Sequence, residues 1–149
     1  MKTIDQEIKA NIPNVRNRMM VNIIFMSSWI RNRYTDMTKH LGVSVQQVNI
    51  LRILKGAGEW LSMNVVKERM IEKSPNATRL ADKLVSKGYI ERKRSEADRR
   101  VVFVQITPKG LELLSELEKI EEANPNTFLD DVTEEEAELV NRVLDRMRS

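Results

Sequence analysis

A mainly α-helical fold with one small β-hairpin is what this sequence predicts, on three observations. Apolar residues recur at three- and four-residue steps through most of the chain, the spacing of helices with one buried face. Between Tyr89 and Ile106 the spacing changes to a period of two, rich in β-branched residues, as paired strands require. Serine or threonine heads most of the apolar runs and is twice followed by proline, a pairing suited to a helix's first turn.

The elements follow in order. Pro13 is expected in the first turn of a long helix, with Asn11 or a neighbour as cap, because its missing N–H is harmless there. Ile8, Ile12, Val15, Met19, Ile23, Met26 and Ile30 form the stripe of that helix, close to a heptad. So small a chain has little of its own to cover the stripe, and part of it is expected to be buried by a second subunit. Gly42 breaks the chain, and Ser44 with Gln47 makes a capping-box pattern for a helix with Val48, Leu51 and either Leu54 or the stem of Lys55 inward and Gly56 and Gly58 at its end. Two short helices follow in tandem. Ser62 caps the first, with Val65, Val66 and Met70 inside. Ser74 and Pro75 open the second, with Ala77, Leu80, Ala81, Leu84 and Val85 on one face and Asn76, Thr78, Arg79, Asp82 and Lys83 off it. Gly88 stops that helix. "YIERKR" and "RVVFVQI" read as the strands of the hairpin, with "SEAD" as its turn. Thr107 and Pro108 open a helix carrying Leu113, Leu114, Leu117 and Ile120; "EANPNTFLDD" reads as a loop. Thr133 and Glu136 box the last helix, lined by Ala137, Val140, Val143, Leu144 and Met147.

Composition narrows the function. There is no cysteine and a single histidine, His40, so disulfides and thiolate or His-rich metal sites are excluded, and no cofactor is expected. The densest apolar stretch, Met19 to Ile30, is too short to span a bilayer, and the N-terminus has no apolar signal region, so the cytoplasm is the expected location. No nucleophile has an evident base and no glycine-rich loop follows a strand, which argues against an enzyme. Charge is segregated: residues 73–110 hold 10 Lys and Arg against 4 Asp and Glu, and residues 111–149 hold 4 against 12. The acidic first turn and basic last turn of the final helix suit its macrodipole and need no further role.

Two tandem helices followed by a hairpin describe a winged helix-turn-helix. Its second helix presents short polar groups and Arg79 at the end that would enter a major groove. Arg92, Lys93, Arg94, Arg99 and Arg100 crowd the hairpin. Nearby Glu91, Glu96 and Asp98 can neutralise some of them, but exposed pairs are each worth only about 0–1 kcal/mol. A phosphate backbone offsets such crowding better, since each neutralised phosphate releases counterions. Arginine also suits a narrow minor groove.

Asp98, Arg100, Ile106, Thr107 and Gly110 resemble the D-x-R, five residues, L-T-x-x-G signature of the MarR family of transcription regulators, with Ile for Leu as a departure. "ERM" at Glu68 to Met70 and "TRLADKLVSKGYIER" at Thr78 to Arg92 are similar to further motifs of that family, and the likeness covers nearly the whole chain. It implies a winged helix-turn-helix flanked by N- and C-terminal dimerisation helices. The implied division is a dimerisation helix and connector at 1–43, a DNA-binding domain at 44–110 and dimerisation helices at 111–149. The homodimer would bind a pseudo-palindromic stretch of double-stranded DNA, as a repressor. Its recognition helix would be Ser74 to Lys87, with Ser74, Asn76, Thr78, Arg79 and Lys83 toward the DNA. Asp98 and Arg100 match a pair that shapes the wing, Arg92 and Arg100 add charge to it, and Arg94 and Arg99 are the minor-groove candidates. The chain departs from the family between the two helices, where Ile71, Glu72 and Lys73 replace a glycine-led turn; Lys73 is placed there to touch phosphate. Proteins of this kind often bind small phenolic or lipophilic effectors. Trp29, Arg33, Tyr34, Met37 and His40, at the junction of the first two helices, are the candidate pocket. The competing reading is a winged-helix module that binds proteins, or coats DNA without sequence preference.

Overall fold

Thr3 and Gln6 close a capping box over a single helical turn, α1 (Ile4–Glu7). The computed structural model describes residues 2–123 and 127–149. Arg18 ties α1 to the next helix, pairing with Asp5 at 3.1 Å and donating to the Ile12 carbonyl at 2.8 Å. That helix, α2 (Val15–Lys39), starts later than expected: Asn14 is its cap, accepting from the Arg16 and Asn17 N–H groups, and Pro13 lies just outside. Ile8 and Ile12 therefore drop off the stripe. Of α2 only Thr38 is buried, while Val15, Met19, Met20, Ile23, Ile24, Phe25, Met26 and Trp29 remain exposed.

The core forms around α3 (Val45–Ala57). Its capping box is the expected one, with the Gln47 N–H donating to Ser44 Oγ at 3.2 Å and the Ser44 N–H to Gln47 Oε1 at 3.0 Å. Gly58, at φ 67°, caps its end in the left-handed region that favours glycine, and Gly56 stays within the helix. A two-residue strand, β1 (Leu61–Ser62), was not expected; its Ser62 also caps α4 (Met63–Arg69). The second tandem helix, α5 (Ala77–Ser86), is shorter than Ser74 to Lys87. Ser74 instead holds a turn, its hydroxyl accepting from the Asn76 N–H at 3.1 Å and its carbonyl from the Ala77 N–H at 3.2 Å.

The hairpin is β2 (Ile90–Arg94) and β3 (Val102–Ile106), antiparallel, with Ile90 opposite Ile106 and Arg94 opposite Val102. β1 pairs with the other edge of β3, Leu61 opposite Val104, giving the order β1-β3-β2. Ile50, Leu51 and Leu54 of α3, Val66 of α4, Ala77, Ala81 and Leu84 of α5, and Ile90 and Val104 of the sheet make the core. Gln47 is buried with them, and its amide donates to the Leu80 carbonyl at 3.3 Å, fixing α5 against α3.

Thr107 caps α6 (Pro108–Ala123), accepting from the Gly110 N–H at 3.2 Å, and Leu113, Leu114 and Leu117 are buried. The stretch read as a loop is partly helical: α6 runs through Ala123 and α7 spans Thr127–Asp130, while residues 124–126 lie outside the described residues. The last helix, α8 (Glu134–Met147), has its capping box at Thr133 and Glu136 and no buried residue. The chain divides into two compact units, Met1–Leu114 and Ser115–Ser149.

Candidate nucleic-acid interface

Burial on one side of α5 leaves its other side free. Asn76, Thr78, Arg79, Asp82 and Lys83 are exposed, and Ser74 is half-buried in the turn that begins the helix, with Lys73 exposed before it. The strand period does the same for the hairpin, and it breaks up the cations that sit together in the sequence. Arg92 and Arg94 share a sheet face with Val104 and Val102. Lys93 points to the other face, where its ammonium lies 4.2 Å from the centre of the Trp60 ring, a contact worth about 0.5–1 kcal/mol.

Arg92 is not a free cation. Its guanidinium meets the Asp82 carboxylate at 2.7 Å, joining the wing to α5. Both side chains are more than half exposed, so the pair is worth about 0–1 kcal/mol and its consequence is orientation rather than stability. Beneath it lies a cleft of about 250 Å³ whose lining includes Asn64, Lys67, Thr78, Asp82, Arg92 and Arg100. In the sequence Asp82 is only a residue off the apolar face; it stands ten positions before Arg92, and no helical or strand period relates the two.

The turn of the wing is held by bonds from main-chain N–H groups to the Asp98 carboxylate, the Ser95 hydroxyl and main-chain carbonyls. Asp98 accepts the Arg100 N–H at 3.0 Å, its own carbonyl accepts the Val101 N–H at 2.9 Å, and the Ser95 N–H reaches the Val101 carbonyl at 2.9 Å. Asp98 thus shapes the wing through the main chain of Arg100 and leaves that guanidinium to the cleft. Arg79, Arg94, Arg99 and Arg100 are all exposed and form no ion pair among the described residues.

A separate cavity of about 820 Å³ lies beside α2 and α3, lined among others by Ile30, Arg31, Tyr34, Thr38, Val48 and Arg52. Of the residues expected at a pocket only Tyr34 lines it, with the Arg52 guanidinium 6.0 Å from its ring centre. Trp29, Arg33 and Met37 follow one another at four-residue steps on a different face of α2, where Arg33 lies 5.7 Å over the Trp29 ring; His40 is beyond the helix end. The lining stripe, Ser27, Ile30, Arg31, Tyr34 and Thr38, runs about one residue out of phase with them. Among the described residues no cluster of metal-ligating side chains occurs, and no helix is long and apolar enough to cross a membrane.

A polar helix face and a cationic hairpin tied into one exposed surface define a winged-helix, DNA-binding transcription regulator. A family model described as transcriptional regulator SarA/Rot matches residues 33–117. The HTH-type transcriptional regulator MhqR of Bacillus subtilis is 30% identical over 127 residues, covering 83% of this chain and 87% of its own. A 42-residue stretch, 28% of this chain and 24% of the relative, is 52% identical to the transcriptional repressor MprA of Escherichia coli. The crystal structure of a mutant MarR from Escherichia coli complexed with operator DNA shares the fold at a TM-score of 0.72 and 21% identity, covering 90% of this chain and 98% of that one. The chain belongs to the MarR family of winged-helix transcription regulators, and these are not enzymes.

Proposed function

We propose that this regulator is a cytoplasmic repressor that binds a pseudo-palindromic operator as a homodimer. One observation carries the reading: the Asp82–Arg92 pair joins the exposed polar face of α5 to the wing, so helix and hairpin meet a duplex together. In this reading Asn76, Thr78, Arg79 and Lys83 face the major groove. Lys73 and Ser74 meet phosphate at its edge, and Arg94, Arg99 and Arg100 follow the backbone and the minor groove. Residues 44–110 are the DNA-binding part. Residues 1–43 and 111–149 supply the dimer contacts, in keeping with the unburied apolar faces of α2 and α8. The likeness to MprA favours repression.

The cavity beside α2 has the size of a small-molecule site, and Tyr34 and Arg52 suit a lipophilic phenol or aromatic anion that releases the DNA.

Selection from a random duplex pool, followed by titration at several salt concentrations, tests the proposal. Affinity for the selected site falls steeply with salt. Arg79→Ala costs about 1–3 kcal/mol on that site and much less on random duplex. A phenol that releases the selected duplex from the wild type loses its effect in Tyr34→Ala. Equal loss from Arg79→Ala on both duplexes identifies a non-specific architectural protein instead, and no duplex binding at all a protein-interaction module.

A further inference from the structure

The turn between α4 and α5 has no glycine, and side chains from two other helices hold it instead. Glu72 meets the Arg31 guanidinium of α2 at 2.7 Å with one carboxylate oxygen and accepts from the Gln46 amide of α3 at 2.9 Å with the other. One residue earlier the Ile71 N–H donates to the Asn49 side-chain oxygen, also on α3, at 3.1 Å. Met70 is buried, so the chain enters the turn from a fixed point. It leaves through Ser74, whose hydroxyl and carbonyl accept the Asn76 and Ala77 N–H groups at the head of α5. A short run of contacts therefore leads from the middle of α2 to the first residues of the helix assigned to the major groove.

We infer that Glu72 is a positioning residue that fixes the start of α5 to α2 and so sets which separation of half-sites the dimer accepts. The inference rests on the homodimer reading, in which α2 lies against the second copy: whatever ties α5 to α2 then ties one recognition helix to the other. A glycine-led turn is shaped by its own backbone, whereas this one takes its position from a helix outside the winged part. Arg31 and Glu72 are about half exposed, so the clamp adds little to stability and acts on placement.

The test uses the full chain, its Glu72→Ala variant, and the exchanged pair Arg31→Glu with Glu72→Arg. Amide hydrogen exchange is measured on the free protein. Binding is then measured on the selected duplex and on duplexes whose half-sites are moved together or apart by one base pair. In Glu72→Ala the Ile71 and Ala77 amides exchange several-fold faster while those inside α3 are unchanged. The variant holds the selected duplex to within about fivefold, the upper worth of one exposed pair, but loses most of the wild type's discrimination against displaced half-sites. The exchanged pair recovers both properties. Unchanged exchange at Ile71 in Glu72→Ala overturns the clamp; faster exchange with a wild-type spacing profile overturns the positioning role. A wild type that binds one half-site as tightly as two overturns the operator reading and the spacing claim together, and the exchange measurement tells that failure from the others.

Discussion

Gly110 has no room for a methyl group. A Cβ built there would stand 2.3 Å from the Tyr89 carbonyl oxygen and 2.7 Å from Ile106 Cγ1. The oxygen is backbone and already accepts the Thr107 N–H at 3.1 Å, so relief requires moving the strand entry or the first turn of α6. Gly110→Ala is expected to cost about 1–3 kcal/mol, the range for overpacking a tight site, with the denaturation midpoint lowered and the wing loosened. A variant as stable as the wild type would show that α6 can shift freely. The sequence marks Gly110 through its place in the signature, but the reason for it, a carbonyl twenty-one residues earlier, is a tertiary contact that no local spacing encodes. The cations teach the same lesson. Arg92, Lys93 and Arg94 are adjacent in sequence, yet the strand period sends Lys93 to Trp60 and a helix carboxylate claims Arg92. Residue type indicated the partner's chemistry for the group; only the fold shows which members remain available to DNA.

Helix starts set by a side-chain cap are legible where the cap is decided within four residues, though Pro13 and Ser74 misplace the starts of α2 and α5. Ser44, Ser62, Thr107 and Thr133 all cap as their spacing implies, whereas β1, two residues long, carries too little pattern to be seen apart from its partner strand. The Thr133 box also has a measurable pH signature. The Glu136 carboxylate accepts from the Thr133 N–H at 3.0 Å and from its hydroxyl at 3.1 Å, and these bonds hold its pKa below the ordinary glutamate value. Since the folded pKa is the lower one, the stabilisation is complete above the unfolded value and disappears as pH falls through the folded one. The first turn of α8 should therefore fray on acidification. Glu136→Gln keeps an acceptor for the same donors and should remove that pH dependence while leaving the helix in place at neutral pH. Carboxyl and amide chemical shifts across an acid titration check this. A Glu136 that titrates like an isolated glutamate, with Thr133 amide shifts insensitive to it, would mean the box is open in solution.

At the scale of the whole molecule, the unburied apolar surface is what most needs an explanation. A 25-residue helix with one buried residue and a 14-residue helix with none are not made stable by propensity alone, since helical stability in proteins comes mainly from packing an apolar face. Spacing in the sequence identified apolar stripes on both, but a stripe that faces the chain's own core and one that faces a second copy have the same period. Burial separates them: the stripe of α3 is inside, while Val15, Met19, Ile23 and Met26 of the α2 stripe and Val140 and Met147 of the α8 stripe are exposed. Fully burying an apolar side chain of this size is worth about 1.5–3 kcal/mol and these are already partly covered, so the proposed dimer would need several from each copy to offset the cost of association. Ile24, 60% exposed, tests the proposed dimer apart from folding, because a charge there meets water in the single chain and would meet an apolar surface in such a dimer. Ile24→Glu should keep the helical content and cooperative unfolding of the winged part, yet sediment near the 17.3 kDa of one chain, while the wild type is expected to sediment at twice that mass. It should bind a duplex of two half-sites no more tightly than a single half-site allows. A wild type that is monomeric at micromolar concentration, or an Ile24→Glu chain that still sediments as a dimer, would place the partner of this helix elsewhere.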